Sequence, residues 1–219
     1  MTDVAEVSGA TESGLAPQTV MEQLAEVMVG EGCRHLFTLM GAGNLWLIHH
    51  LDVQHGLPIH HLRHENGAVG AADGYARATG ELGWATVTQG PGFTNTITAL
   101  LTASRGRTPL VLIVSDTSNL DPQRFPFAGG VQAIAPELLL HPLGIETVRA
   151  EGADAGARLR ETARRARAES RTIVFVIPAG LDRVPAEPLA IPGADEAMPT
   201  AAEERRDGLS PEADAELRA

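Results

Sequence analysis

Apolar runs of strand length alternate with helix-length periodic stretches from residue 35 to residue 177, and this alternation constrains the fold more than any other feature of the chain. Strand-like runs are read at 35–40, 59–63, 84–88, 110–115, 146–149 and 172–177. Helical stretches fall between them at 44–54, 66–79, 93–104, 134–140 and 155–169. An earlier helix begins at Thr19, where Val20, Leu24, Val27 and Met28 recur at helical spacing. Strands separated by helices pair in parallel, because the helix supplies the crossover that a parallel neighbour requires. The expected fold class is therefore α/β, a single doubly wound six-stranded parallel sheet domain covered by helices on both faces.

The domain boundaries follow from where the periodicity stops. Residues 1–15 are polar and aperiodic and read as a flexible arm, 16–184 as the folded domain. Prolines at 185, 188, 192 and 199 among Ala and Glu make 185–219 read as a disordered or loosely attached tail. No window approaches the apolar length of a membrane span, and the first residues resemble neither a secretory signal nor a transit peptide, so the expectation is a cytoplasmic protein with no membrane partner. A net charge of -11 argues against a nucleic-acid partner, since phosphate contacts need clustered cations. The chain has no Lys, which removes Schiff-base chemistry and a phosphate-loop lysine. Cys33 is the only cysteine; at the end of an apolar helical pattern it reads as a packed thiol.

In open parallel sheets ligands bind beyond the carboxyl ends of the strands. The polar and glycine-bearing positions fall there: Gly41 and Gly43 after the first strand, Glu65 after the second, Gln89, Gly90, Pro91 and Gly92 after the third, and Asp116 after the fourth. The expectation is one crevice lined by all of them. Gly90-Pro91-Gly92 suits a backbone that turns sharply and lies close to a flat ligand.

Three blocks recur here in order: Arg63-His64-Glu65, then Ala72-Asp73-Gly74-Tyr75-Ala76-Arg77, then Gly90-Pro91-Gly92 with Asn95. This order resembles the pyrimidine-binding (PYR) domain of thiamine diphosphate-dependent enzymes, in the acetolactate synthase-like branch, and the resemblance covers roughly residues 16–184. It implies thiamine diphosphate as cofactor and Glu65 as the catalytic carboxylate, which hydrogen-bonds N1 of the aminopyrimidine ring and favours the tautomer that removes the C2 proton of the thiazolium. A desolvated place would raise the pKa of such a glutamate. Gly41, Gly90, Pro91, Gly92 and Asn95 would line the pyrimidine side of the cofactor, and His64, Gln89 and Gln132 would lie toward the substrate. The substrate class implied is a 2-oxo acid, decarboxylated and then released as an aldehyde or joined to a second carbonyl.

The chain also departs from the family pattern. Met40-Gly41 replaces the usual Pro-Gly pair after the first strand, and the histidine positions of the pyruvate decarboxylase and benzoylformate decarboxylase branches are not filled. There is no Gly-Asp-Gly block of the kind that holds Mg2+ and the diphosphate. The resemblance therefore implies a split enzyme, as in sulfopyruvate decarboxylase, whose partner subunit carries the diphosphate-binding (PP) domain and the Mg2+ within a hetero-oligomer. The alternative is a catalytically idle thiamine-fold subunit with a structural or regulatory role.

Three other patterns take plainer readings. His49, His50, His55, His60, His61 and His64 match no zinc spacing and read as solvated residues of helix and loop. Arg158, Arg160, Arg164, Arg165 and Arg167 alternate with acids and read as a solvated helix face. Gly67, Gly70, Ala71 and Gly74 either pack tightly on the sheet or let a partner subunit approach closely.

Overall fold

A computed structural model describes residues 17–191. The arm expected at 1–15 and positions 192–219 of the expected tail lie outside the described residues. In chain order the elements are α1 (Val20–Gly30), β1 (Leu36–Leu39), α2 (Leu45–Val53), β2 (Ile59–His61), α3 (Glu65–Thr79), β3 (Gly83–Val87), α4 (Pro91–Thr94), α5 (Ile97–Arg105), β4 (Leu110–Asp116), α6 (Pro136–Leu140), β5 (Glu146–Arg149), α7 (Ala155–Ala168) and β6 (Thr172–Pro178). A π-helical turn, Pro126–Val131, and two 3-10 turns, His141–Leu143 and Leu181–Arg183, complete them. The six strands form one all-parallel sheet in the order β2-β1-β3-β4-β6-β5.

The two-residue strand period divides the core between the faces of the sheet. Val111, Ile113, Ile173 and Phe175 face α1, α2 and α7, whereas Leu110, Leu112, Val114, Val174 and Val176 face α3 and α5. Local chemistry sets the helix ends. Thr19 and Glu22 form a reciprocal capping box at the start of α1, and Gly80, at φ 77°, ends α3 in the left-handed conformation that glycine adopts without strain. Asp73 of the central motif is buried; it accepts from Thr108 Oγ1 at 2.6 Å and from Arg77 Nε at 2.8 Å, fastening α3 to the entry of β4.

The structure corrects four expectations. The helix read at 93–104 is two helices, broken at Asn95 and Thr96, where Thr96 turns its hydroxyl back onto the Phe93 carbonyl at 2.6 Å. The one read at 134–140 starts only at Pro136, whose ring suits a first helical turn. Residues 185–191, read as the start of a loose tail, are held on the domain: Pro185 bridges Thr19, Ala186 N–H donates to Gln18 O at 2.8 Å, and Glu187 N–H donates to Ala153 O at 2.9 Å. Ala186, Leu189 and Ile191 pack against the core, so apolar contact here outweighs the proline-rich composition. The arginine face of α7 is not merely solvated. Arg164 Nε lies 2.9 Å from Glu31 Oε1, with Arg167 at 3.6 Å and Arg160 at 3.9 Å from the same carboxylate, which is 4% exposed.

Candidate functional site

Glu65 is the first residue of α3, with His64 as its N-cap. The His64 ring turns inward on its own helix, Nδ1 accepting from Asn66 N–H at 3.2 Å, so the side chain caps α3 while remaining exposed. A carboxylate in this first turn is favoured by the partial positive charge of the helix end. Glu65 is half-buried. Its Oε2 accepts from Asn95 Nδ2 at 2.9 Å, which is the use to which the break between α4 and α5 puts Asn95. Among the described residues no donor reaches Oε1. Of the small and apolar residues that follow Glu65, Ala68, Val69 and Ala72 are buried in the core against the sheet, and Ala71 is half-buried.

A tight corner stands beside Glu65, where the loops after β1 and β3 meet. A Cβ on Gly92 would lie 2.7 Å from Thr88 Cγ2 and 3.4 Å from Glu65 Oε1, and one on Gly41 would lie 2.6 Å from Thr88 Cβ. Close approach at Gly41 is therefore present despite Met40 in place of proline. Gly90 has φ 61°, and its Cβ position is filled by the Gln132 backbone at 2.7 Å. Gln89 Nε2 donates to Gln132 Oε1 at 3.0 Å, and Thr88 Oγ1 donates to Gln89 Oε1 at 2.6 Å and accepts from Gly43 N–H at 3.2 Å. Asn44, buried, secures the β1 end of the corner by accepting from Gly41 N–H at 2.8 Å and donating to Thr38 Oγ1 and Leu39 O at 3.3 Å.

The expected single crevice is two adjoining features. Glu65, Asn95, Gly92 and Gly41 form an open ledge on one side of Thr88. On the other side, Gly43, Gln89, Ser115 and Asp116 line a cleft of about 250 Å3 that also takes in Trp46 and the turn after β6. Gln89 and Gln132 join the two. Asp116 is fully buried, but its carboxylate is committed: it accepts from Arg149 Nη2 at 2.6 Å and from Ser118 N–H and Oγ at 2.8 and 2.7 Å. Arg149 also binds Glu137 at 2.7 and 2.9 Å, and this hydrogen bonding, foremost to Glu137, raises the guanidinium pKa above its ordinary value. Asp116 is thereby a structural anchor at the end of β4.

The described residues contain no group of three His, Cys, Asp or Glu side chains arranged to hold a metal. His35 and His60 pair at 3.0 Å on the β1–β2 edge, with His35 at the amino end of β1 whereas the cleft lies beyond its carboxyl end. Asn44 and Ser115, which complete the corner and cleft, carried no signal in the sequence beyond their place after β1 and at the end of β4. Gly70 and Gly74 are exposed and a Cβ at either would meet nothing within 4 Å, so the alternative of tight sheet packing fails for both.

An all-parallel sheet with a glutamate and a glycine-built corner at the carboxyl ends of its strands defines a doubly wound ligand-binding domain. The particular family follows from comparison. The family model described as the N-terminal TPP binding domain of thiamine pyrophosphate enzymes matches residues 18–133, and the chain belongs to that family. It is 40% identical to 2-hydroxyacyl-CoA lyase 2 of Bos taurus over 122 residues, 56% of this chain and 18% of the lyase. It is 39% identical to the acetolactate synthase large subunit of Haemophilus influenzae over 92 residues, 42% of this chain and 16% of that protein. The chain thus spans under a fifth of the length of these curated relatives. Among solved structures, the thiamine diphosphate-dependent 4-hydroxybenzoylformate decarboxylase of Rhodococcus jostii superimposes with a TM-score of 0.67 at 19% identity, covering 78% of this chain and 32% of that one. At that identity the likeness concerns the fold.

Proposed function

We propose that this chain forms the pyrimidine half of a thiamine diphosphate-dependent 2-oxo acid decarboxylase or carboligase, completed by another polypeptide that holds the diphosphate and Mg2+. The observation that carries the reading is the Glu65 carboxylate, with one oxygen fixed by Asn95 and the other without a donor among the described residues. That arrangement fits a protonated or imino-form ring nitrogen, which needs one oriented carboxylate oxygen. When bound, thiamine diphosphate supplies the carbon nucleophile and the electron sink for cleavage beside a carbonyl.

The chain's own residues do the rest. Glu65 holds and returns a proton at Oε1, and Asn95 keeps the carboxylate from rotating away. Gly41, Gly90, Pro91 and Gly92 shape the ledge against which the pyrimidine lies, and Gln89 and Gln132 present amides toward the reacting side. His64 borders the ledge from the α3 N-cap. Glu65 is half-buried here, so the exclusion of water from it comes from the partner. The open Gly70–Gly74 face of α3 leaves room for that chain to approach. The names of the relatives, a lyase and a synthase, agree with carbon–carbon bond cleavage and formation.

Calorimetric titration of thiamine diphosphate with Mg2+ into this chain alone, and into this chain purified with a candidate diphosphate-domain partner, tests the proposal. Tight binding by the pair and none by the chain alone is the expected result. A pair that assembles and binds no cofactor would overturn it and leave a structural or regulatory subunit.

A further inference from the structure

The cleft beside Gln89 is not used by Glu65, yet its construction carries information about a ligand. Its large apolar lining residues are Met21, Trp46, Ile177 and Leu181, while the side chains of Gln89 and Thr117, which also line it, already hold hydrogen bonds to Thr88 and Gln132 and to the Ala128 carbonyl. Ser115 lies at the carboxyl end of β4 and is 6% exposed, and its hydroxyl makes no hydrogen bond among the described residues although the side chain lines the cleft. The residue is nearly buried, but its hydroxyl opens onto the cleft and stands free to bond a group that enters. Gly43 keeps the way to it open, since a Cβ there would run into both Ser115 Oγ and Gln89 Oε1.

Charge narrows the class. None of the residues lining the cleft is Arg or His. Its two acids are Asp116, whose guanidinium partner is shared with Glu137, and Asp182, which faces the highly exposed Arg183 at 3.6 Å. An anion entering would lose its water and meet no cation in return. An uncharged apolar ring with one hydrogen-bonding atom satisfies every feature of the wall and floor.

We infer that this cleft receives the side chain of the 2-oxo acid, and that this side chain is an uncharged, flat, apolar group ending in a single hydrogen-bonding atom, of phenol or alcohol type. The assignment of the cleft to the substrate rests on the proposed function, because Thr88 and Gln89 connect it to the Glu65 ledge. The existence and chemistry of the site do not rest on it. A second anionic group on the substrate, such as a sulfonate, is excluded by the same wall.

The test runs on this chain without cofactor. Trp46 and Trp84 give two indole N–H cross-peaks in a nitrogen–proton correlation spectrum; Trp46 rims the cleft and Trp84 is 1% exposed in β3. Titration with p-cresol is expected to move the Trp46 peak saturably while Trp84 stays still. Toluene should bind about three- to tenfold more weakly, as one hydrogen bond dictates, and p-toluenesulfonate at least tenfold more weakly, on the order of the cost of an unpaired polar group. Ser115→Ala should bind p-cresol and toluene alike. No movement of Trp46 at millimolar p-cresol, equal binding of the sulfonate, or an unchanged p-cresol preference in Ser115→Ala would each overturn the inference. Failure of these titrations leaves the cofactor titration of the assembled pair untouched. Success here with no cofactor binding by the pair would separate the site from the proposed reaction and overturn its assignment to a substrate. In the pair, Ser115→Ala should raise KM for a 2-oxo acid with a 4-hydroxyphenyl side chain and leave that for the unsubstituted phenyl acid unchanged.

Discussion

Gly92→Ala separates the two demands placed on the corner beside Glu65. The new methyl would sit 2.7 Å from Thr88 Cγ2, about an ångström inside an ordinary carbon–carbon contact. Forcing that much overlap costs about 1–3 kcal/mol, and alanine recovers about 0.5–1 kcal/mol through its smaller backbone entropy loss in α4. The net loss is at most about 2.5 kcal/mol, a fall in Tm of up to about 10 °C for a chain of this size. Thr88→Ser removes Cγ2 and keeps the hydroxyl that bonds Gln89 and Gly43, at a cost of about 1 kcal/mol for the lost methyl. In that background the clash is gone and only the alanine gain remains, so Gly92→Ala should now stabilise. Thermal or denaturant unfolding of the four proteins reads this reversal of sign. The methyl also lies 3.4 Å from Glu65 Oε1, where Thr88→Ser gives no relief, so the double variant should still bind thiamine diphosphate about tenfold or more weakly when paired with its partner. Additive stabilities within about 0.5 kcal/mol, or cofactor affinity restored with stability, would refute the reasoning.

Other perturbations report on separate parts of the molecule. Asn95→Ala removes an exposed hydrogen bond and should change stability by under about 1 kcal/mol, while activity of the assembled pair falls about tenfold as Glu65 loses its orientation; unchanged kcat would contradict this. Glu31→Gln takes the shared carboxylate from Arg160, Arg164 and Arg167 and should cost about 1–2 kcal/mol in a urea titration, less than a fully buried pair because these arginines are partly solvated. The backbone hydrogen bond from Thr19, followed by that from its side chain, holds the Glu22 carboxyl below its ordinary value of 4.5. A depressed folded-state pKa stabilises above the unfolded value and loses that stabilisation as pH falls through the folded one, so the stability gap between wild type and Glu22→Gln should be full at neutral pH and close below pH 4.5. Burial pushes the Cys33 thiol well above its ordinary pKa, so a thiol reagent should label it only as fast as the chain unfolds.

Period and length in the sequence were enough to place all six strands and the parallel direction that helical crossovers impose, but not their order in the sheet. They could not show where a helix breaks for a purpose. Asn95 and Thr96 continue the helical pattern in composition; at the break Thr96 bonds back to the Phe93 carbonyl and Asn95 reaches Glu65 across 30 positions of sequence. The arginines of α7 looked solvated because Glu31, which gathers them, lies more than a hundred residues earlier. Prolines at 185 and 188 signalled a tail, but Leu189 and Ile191 find core surface that only the folded domain provides. At the candidate site, Glu65, Asn95, Gly41, Gly90 and Gly92 stood out through the resemblance of their blocks to the family pattern, and the structure brings them to one corner. Ser115 was not, since a serine ending an apolar strand differs from any other until its missing partner is seen.

The central claim is that Glu65 governs proton removal from the cofactor. Proton–deuteron exchange at C2 of thiamine diphosphate, followed by proton NMR on the assembled pair, tests it most directly. Glu65→Gln should bind the cofactor and slow exchange by about a hundredfold or more; exchange at the wild-type rate in that variant, with the cofactor bound, would contradict it.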